Sequence, residues 1–187
     1  MKKNNLIVGC QFFFLQFVFL QLVFLQTASA QTLEKNFFAP ADTLDKPRLI
    51  ITSSVAAVGY TAFTVGLDQL WYAEYARSPM HSYDDSEEWN QMDKSGHLFT
   101  TYFESKWAAE VYGWTGIKRK NAALLGAGTG MLFQSTLEIL DGLSAEWGFS
   151  WSDMAANTAG ATLFTAQELA WNEQRISLKV TYFLIAG

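Results

Sequence analysis

The chain has 187 residues, a formal net charge of −5 and a mean hydropathy of +0.05. An acidic chain of this kind lacks the basic surface that nucleic-acid binding requires, so no nucleic-acid partner is expected. Its single cysteine, Cys10, excludes a disulfide framework, and its length fits one main domain.

Residues 1–30 have the pattern of a secretory signal peptide. Lys2 and Lys3 precede an apolar stretch from Leu6 to Leu25, and the segment ends in small residues at 27–30. This order is typical of signal peptides that are removed, although the stretch is also long enough to be a retained membrane anchor. Removal would leave 157 residues and a net charge of −7, because two basic residues and no acids are lost. We therefore expect an exported protein of the periplasm or the cell-envelope membrane.

The remaining sequence predicts an all-α fold, a compact bundle of about four helices. Residues 31–45 are expected to form a flexible lead-in, and residues 46–175 a helical domain. Within that domain, helices are predicted at residues 48–76, 93–112, 118–141 and 150–171. The segment 77–91 contains an acidic run and is predicted to be a solvated loop. The tail, residues 176–187, has an alternating pattern and is predicted to be strand-like.

Uncharged stretches and stacked small residues indicate contact with a membrane. The sequence from Leu49 to Leu67 carries no charge and is long enough to span a bilayer. Gly126 and Gly130 lie four residues apart, a spacing that lets membrane helices approach closely. The basic residues 118–120 beside this apolar helix are typical of a membrane-surface signal. Two arrangements fit: a bundle partly embedded in, or lying against, an envelope membrane, and a soluble periplasmic bundle.

Three of the predicted helices carry polar side chains at helical spacing within otherwise apolar sequence. These side chains belong to Asp93, Lys94, His97, Gln134, Glu138, Asp141, Asp153 and Asn157. Residues three or four positions apart share one helix face, and burying polar groups is costly unless they pair. We therefore expect the three polar stripes to meet in one interior site.

The residues of this site allow three interpretations. Acid–base hydrolysis would use His97, Glu138 and Asp153 as catalytic residues, with the other polar groups forming a binding or polar network. A divalent metal ion is a second possibility, because carboxylates and one imidazole are suitable ligands; the sequence defines no particular cofactor. In the third interpretation the residues only stabilise helix packing, with Asp93 as an N-cap and Ser150 and Asp153 as a capping box.

Polar residues near helix ends have simpler explanations. Asp141, directly before a glycine, fits a helix end, but this does not explain Glu138 one turn earlier. Two carboxylates in a last helical turn are unfavourable next to the helix dipole, so a basic group such as Lys94, His97 or Arg175 is expected nearby. The residues Gln167, Glu168 and Trp171 are expected at the surface of the fourth helix or at the membrane boundary.

At these positions the chain resembles the YfiM-like family of bacterial envelope proteins, which are described as periplasmic lipoproteins with a domain of unknown function. The resemblance covers residues 45–180 and rests on the segments 93–97, 126–142 and 147–160, followed by Gln167, Glu168 and Trp171. A second, weaker resemblance is to VanZ-like membrane proteins, through the same acids, amides and histidine. The resemblance to the YfiM-like family implies an exported, mostly helical domain without an established activity.

The favoured function is a structural or interaction role at a membrane, because polar residues inside a bundle do not require chemistry. One alternative is a hydrolase or metal-assisted enzyme that acts on an envelope lipid or cell-wall component. Another is a binding module for an amphiphilic ligand. The expected partners are the membrane and other envelope proteins, and the sequence does not define a small-molecule ligand.

Overall fold

The computed structural model describes residues 35–179, and four long helices make up most of that range. They are α1 (Lys46–Leu70), α2 (Met92–Trp114), α3 (Arg119–Gly142) and α4 (Trp151–Trp171). Single helical turns lie at Lys35–Phe38, Tyr72–Glu74 and Glu88–Gln91. The predicted all-α bundle is confirmed. The predicted signal peptide, residues 1–30, lies outside the described residues.

Local sequence explains where two of the helices begin. The carboxylate of Asp45 caps α1 by accepting a hydrogen bond from Arg48 N at 3.0 Å, and proline follows within the first turn. The hydroxyl of Ser150 caps α4 by accepting from Asp153 N at 3.1 Å. At α2 the residue before the helix is Gln91, in a left-handed conformation with φ of 64°. The interpretation of Asp93 as an N-cap is therefore wrong, because Asp93 lies inside the first turn.

Close packing of α2 against α3 and α4 depends on glycines. A Cβ atom at Gly126 would lie 2.2 Å from the carbonyl oxygen of Ser105, and one at Gly160 would lie 2.2 Å from that of Leu98. Gly130 faces α2 in the same way, with the Ser105 hydroxyl 2.6 Å from its Cβ position. Short connections join these three helices, so consecutive helices run antiparallel and α2 is parallel to α4. The predicted close helix contacts are thus formed on α3 and α4.

Helix α1 lies against this three-helix unit through a small aromatic contact. The Tyr60 hydroxyl is 2.6 Å from Thr136 Oγ1, and the rings of Tyr60 and Phe63 both lie 5.3 Å from that of Phe133. Most other apolar side chains of α1 are exposed. Among the described residues, the segment Lys46–Glu74 is the one helix that is long and apolar enough to cross a membrane. Its most apolar 18-residue stretch has a mean hydropathy of 1.5, and 6% of that stretch is buried.

The segment between α1 and α2 is fastened to the connection between α3 and α4. Backbone N–H groups of His81 and Tyr83 donate to the carbonyls of Gly142 and Phe149, both at 3.0 Å. In return Phe149 N donates to His81 O at 2.9 Å. These bonds hold the acidic run against the ends of α3 and α4, which is what positions Asp85 for the site described below.

The segments that flank the bundle are held by specific hydrogen bonds. Before α1, Asp45 N donates to the Thr115 carbonyl at 2.9 Å. After α4, residues 176–179 do not form the predicted strand. A strand needs a neighbouring strand to pair with, and within the described residues no strand lies beside this segment. Ile176 instead donates its N–H to Gln167 Oε1 at 2.6 Å. Residues 180–187 of the predicted strand-like tail lie outside the described range.

Candidate functional site

The polar stripes of α2, α3 and α4 meet near one end of the bundle, which we call the site end. Helices α2 and α4 begin there and α3 ends there. The group of polar side chains at this end is called the His97 cluster. Its members are Asp85, Asp93, Lys94, His97, Glu138, Asp153 and Asn157.

His97 is the centre of this cluster, and its two ring nitrogens have different surroundings. Nδ1 lies 3.1 Å from Asn157 Oδ1, an arrangement that suits the tautomer in which Nδ1 donates to this amide oxygen. Nε2 faces three carboxylates instead, with oxygens of Glu138, Asp93 and Asp153 at 3.6, 3.7 and 3.9 Å. All three distances exceed those of ordinary hydrogen bonds.

Each of these three carboxylates uses its second oxygen elsewhere. Asp153 Oδ1 and Asp93 Oδ2 lie 3.1 and 3.2 Å from the ammonium of Lys94. Glu138 Oε2 accepts a hydrogen bond from Ser150 N at 3.1 Å. The remaining oxygen of each carboxylate is the one that faces His97 Nε2. The three carboxylates are therefore held in fixed orientations around one point.

Asp85 joins the cluster from the loop before α2. Its Oδ1 lies 2.7 Å from Lys94 Nζ and accepts hydrogen bonds from the hydroxyls of Ser150 and Ser152 at 2.7 and 2.8 Å. Burial opposes ionisation of this carboxyl, but these contacts outweigh it and hold its pKa below the ordinary value. The solvated-loop prediction is therefore wrong for Asp85, whereas its neighbour Asp84 is exposed.

The start of α4 departs from the predicted capping box. The Ser150 hydroxyl caps the helix as expected, but the reciprocal bond from the Asp153 side chain to Ser150 N is not made. Glu138 takes that place, since its carboxylate accepts from Ser150 N. The Asp153 side chain is thereby left to face Lys94 and His97, and the end of α3 is bonded to the start of α4.

Two of the predicted site residues are held outside the cluster. Asp141 accepts a hydrogen bond from the Tyr72 hydroxyl at 2.6 Å, and Tyr72 is almost fully buried. Gln134 donates to the carboxylate of Glu104 on α2 at 2.9 Å. Gln134 and Asp141 thus lie on the same helix face as Glu138, as predicted, but each bonds to a residue outside the His97 cluster. Of the basic groups expected to offset these acids, Arg175 pairs with Glu173 instead.

A second polar network lies at the opposite end of the bundle. Arg119 Nε donates to Glu168 Oε2 at 2.6 Å, and Gln174 Nε2 donates to Glu168 Oε1 at 2.8 Å. Gln167 Nε2 donates to Gln174 Oε1 at 2.9 Å. Gln167 and Glu168 are buried, so their predicted position at the surface is wrong; Trp171 is partly exposed, as expected. This network ties the chain after α4 to α3 and to α4 itself.

The His97 cluster contains more negative than positive groups. Four carboxylates face one ammonium and one imidazole, and the side chains of Glu138 and Asp153 are only 2% and 5% exposed. Desolvated carboxylates at such short range repel one another unless a proton or a cation lies among them. The arrangement is therefore suited to holding a cation or a proton, and it opens toward solvent at Asp93, whose side chain is 32% exposed.

Two members of the site were not identified from the sequence. Asp85 was hidden in an acidic run, and Ser152 has no motif of its own. The Thr101 hydroxyl lies 2.7 Å from the His97 carbonyl and 2.9 Å from Asn157 Oδ1, so it supports both residues. The spacing of Thr101 from His97, four residues on the same helix face, is the one signal that points to it.

Fold and site together define an all-α bundle with a polar cluster buried at one end. Residues 83–167 match the model of a protein family described as "Predicted periplasmic lipoprotein (DUF2279)". This range contains α2, α3, most of α4 and every member of the His97 cluster. The expected location, in the periplasm or envelope membrane, is confirmed by this description. No curated protein and no solved structure matches the chain.

Proposed function

We propose that the chain is a membrane-embedded protein of the cell envelope with a structural or interaction role. The observation that carries this proposal is the distribution of polarity, in which many polar side chains are buried in the bundle and many large apolar side chains face outward. In water this arrangement is unfavourable, because it exposes apolar surface and buries polar groups. In lipid the outer surface is well solvated, and the interior polar groups link the helices.

This distribution is clear from the exposure of individual side chains. Buried polar residues of the helices, each at most 7% exposed, include Thr101, Ser105, Gln134, Glu138, Asp153, Asn157, Gln167 and Glu168. Apolar side chains of α1, α3 and α4 that are between 41% and 70% exposed include Ile50, Ile51, Val55, Val58, Val65, Leu124, Leu125, Leu132, Ile139 and Leu169. This large apolar surface favours contact with lipid.

Charge is absent from long stretches of the same three helices. The sequence has no Asp, Glu, Lys or Arg from Leu49 to Leu67, from Asn121 to Leu137 or from Met154 to Gln167. At about 1.5 Å per residue, helices of 25 and 24 residues are roughly as long as the ~30 Å hydrocarbon core of a bilayer, or longer. Helix α2 carries the ion pair Lys106–Glu110, so we assign the lipid-facing surface to the other helices.

Outward hydroxyl groups also fit a surface without water. The Oγ1 atoms of Thr61, Thr129, Thr158 and Thr165 each donate to the carbonyl four residues earlier in the same helix, at 2.8–2.9 Å. In lipid every polar group needs such an internal partner. Tryptophans lie near both ends of the bundle, at positions 71, 114, 151 and 171, as is common at the two membrane interfaces.

A charge placed on the outer face of α3 tests this proposal. Leu132 lies near the middle of α3 and is 51% exposed, so Leu132→Lys should cost about 2.5–3.5 kcal/mol if it faces the bilayer centre. The matched control is Asn121→Lys, at the exposed end of the same helix. The assay measures retention of the full chain in membranes after carbonate extraction, together with thermal stability in lipid nanodiscs.

The two outcomes are well separated. In lipid, the wild-type chain resists carbonate, Leu132→Lys is destabilised or poorly retained, and Asn121→Lys behaves as wild type. If the bundle is solvated by water, carbonate releases the wild-type chain, and Leu132→Lys changes stability by no more than about 0.5 kcal/mol, as is usual for surface sites. That second result would reject the membrane proposal. We also propose that the chain is one of the YfiM-like envelope proteins that its sequence resembles.

A second candidate function is hydrolysis of an envelope lipid or cell-wall component. The observation that favours it is the approach of His97 to Glu138 and Asp153, a combination that can serve acid–base chemistry. The geometry supports hydrolysis less well. An open apolar groove of about 390 Å³ lies between α3 and α4, and no member of the His97 cluster lines it. Thr158, Ala161 and Leu169 lie along this groove.

Incubation of the purified full chain with phospholipid vesicles and with cell-wall sacculi separates the two functions. A hydrolase releases fatty acids, headgroups or soluble wall fragments, and Glu138→Gln abolishes the release while the protein stays folded. A structural protein releases none of these, and Glu138→Gln changes its stability instead. Release by the wild-type chain that is lost in Glu138→Gln would therefore replace the favoured proposal with the second one.

A further inference from the structure

We propose that the His97 cluster is a binding site for one divalent first-row transition-metal ion, coordinated by His97 Nε2 and by one oxygen each of Asp93, Glu138 and Asp153. This site does not depend on the membrane proposal. An oxygen of Asp93, an oxygen of Asp153 and a ring nitrogen of His97 all lie within 4.8 Å of one another. Glu138 Oε1 is not one of these mutually close atoms, but it lies 3.6 Å from Nε2 and is a fourth candidate ligand atom from α3.

Glu138 provides an independent indication that a ligand is needed. This residue is 1% exposed, and its Oε1 has no hydrogen-bond partner among the described residues. A buried carboxylate oxygen without a partner carries a large desolvation penalty. Because this oxygen faces His97 Nε2, a cation between the two atoms would satisfy both of them at once.

The tautomer of His97 supports the same conclusion. In the tautomer in which Nδ1 donates to Asn157 Oδ1, the lone pair of Nε2 faces three carboxylate oxygens at 3.6–3.9 Å. A cation placed among these four atoms would be attracted by all of them. Metal-binding histidines characteristically donate their other N–H to a fixed acceptor, as His97 does in this tautomer.

The distances between the donor atoms suit an ion of this class. Two ligand atoms that are each about 2.1 Å from a tetrahedral ion are about 3.4 Å apart. The observed separations from Nε2, 3.6–3.9 Å, exceed this value by a few tenths of an ångström. The atoms of Asp93, His97 and Asp153 lie within 4.8 Å of one another, so their side chains would close in on a bound ion. The second oxygens of Asp93 and Asp153 are held by Lys94, and that of Glu138 by Ser150 N, so the first oxygens are already oriented.

The donor set selects the class of metal. Imidazole together with carboxylates favours Zn²⁺, Mn²⁺ and related ions, whereas Ca²⁺ and Mg²⁺ prefer oxygen ligands alone. A metal ion can enter from solvent, because the side chain of His97 is 14% exposed and that of the neighbouring Asp93 is more exposed still. We expect Zn²⁺ to bind most readily under ordinary conditions, because it accepts four ligands of this mixed type.

The test uses the purified full chain in detergent, stripped with a chelator and titrated with Zn²⁺ by calorimetry. Co²⁺ serves as a second probe, because its visible absorption reports ligand number and geometry. Wild-type protein should bind one Zn²⁺ per chain. His97→Ala and Glu138→Gln should lose affinity by more than the roughly 10–100-fold that loss of an outer-shell group causes, and Asn157→Leu should fall within that range.

Matched controls are available within the chain. His81→Ala removes the other histidine, which is exposed, and Asp84→Asn removes an exposed acid next to Asp85; both should leave Zn²⁺ affinity unchanged. Wild-type chain that binds no Zn²⁺ in the calorimeter, or His97→Ala chain that binds it as wild type does, would overturn the proposal. Should His97→Ala fail to fold, the nearly isosteric Glu138→Gln and the wild-type Co²⁺ spectrum decide the question.

Discussion

The same substitution at two glycines should have opposite effects on stability. In Gly160→Ala the new methyl group would lie 2.2 Å from the Leu98 carbonyl oxygen, whereas ordinary contacts of a Cβ atom begin near 3.4 Å. Helices α2 and α4 must therefore separate by about 1 Å or repack, which typically costs about 1–3 kcal/mol. Higher helix propensity returns about 1 kcal/mol. We expect a net loss of up to about 2 kcal/mol.

Gly128 on α3 is the matched control for this loss. No atom lies within 4 Å of its Cβ position, so Gly128→Ala should gain up to about 1 kcal/mol through helix propensity alone. The assay is chemical unfolding of both variants in the same detergent, followed by far-ultraviolet circular dichroism. Changes of equal sign and size in the two variants would refute the close-packing argument.

The Gly160 variant should also affect the site. Leu98 directly follows His97, and Gly160 lies one turn after Asn157, so separation of the two helices lengthens the hydrogen bond between His97 and Asn157, now 3.1 Å. Zn²⁺ affinity should then fall in Gly160→Ala and stay unchanged in Gly128→Ala. A fall in both variants would mean that the loss does not arise from the contact between α2 and α4.

Two further substitutions test single interactions, each by the free energy of unfolding of the full chain. Tyr72→Phe keeps the buried ring but removes the 2.6 Å hydrogen bond to Asp141, and should cost about 1.5–3 kcal/mol because the acceptor is a carboxylate; an unchanged value would show that this bond contributes nothing. Lys94→Met leaves three carboxylates without their ammonium and should cost about 3–5 kcal/mol; a gain in stability would instead indicate that those acids are protonated.

Helix positions could be predicted well because they depend on local signals. The third helix was predicted at residues 118–141 and is observed at Arg119–Gly142, since Gly116 before it and Gly142 at its end mark its limits. The first helix was predicted to continue to residue 76 but ends at Leu70. The chain turns there so that Tyr72 reaches Asp141, and a contact between residues 69 positions apart leaves no trace in local periodicity.

The site could be predicted only as far as helix faces determine it. Spacing of four residues correctly grouped Asp93 with His97 and Asp153 with Asn157. It could not show that Gln134 would pair with Glu104, because that depends on how α2 and α3 are aligned along their axes. The loop residue Asp85 was missed for a related reason, since backbone bonds to the α3–α4 connection carry it into the cluster.

Gln167 and Glu168 illustrate the remaining limit. Their position near the end of a helix predicted a surface location, yet both are buried. Their partners include Gln174, which follows the helix, and Ile176, the first residue of the tail whose own pattern predicted a strand. Polar residues at a helix end are satisfied by whichever segment folds over them, and the sequence of the helix alone does not contain that information.

The ring of carboxylates around His97 is assembled from separate stretches of chain: the loop before α2, the starts of α2 and α4, and the end of α3. Each of these stretches supplies only some of the groups, so the centre forms only when all of them have packed together. Displacement of any one stretch would disrupt the centre, and an ion held there would stabilise all of them together. Occupancy of this centre would then report whether the bundle is fully folded.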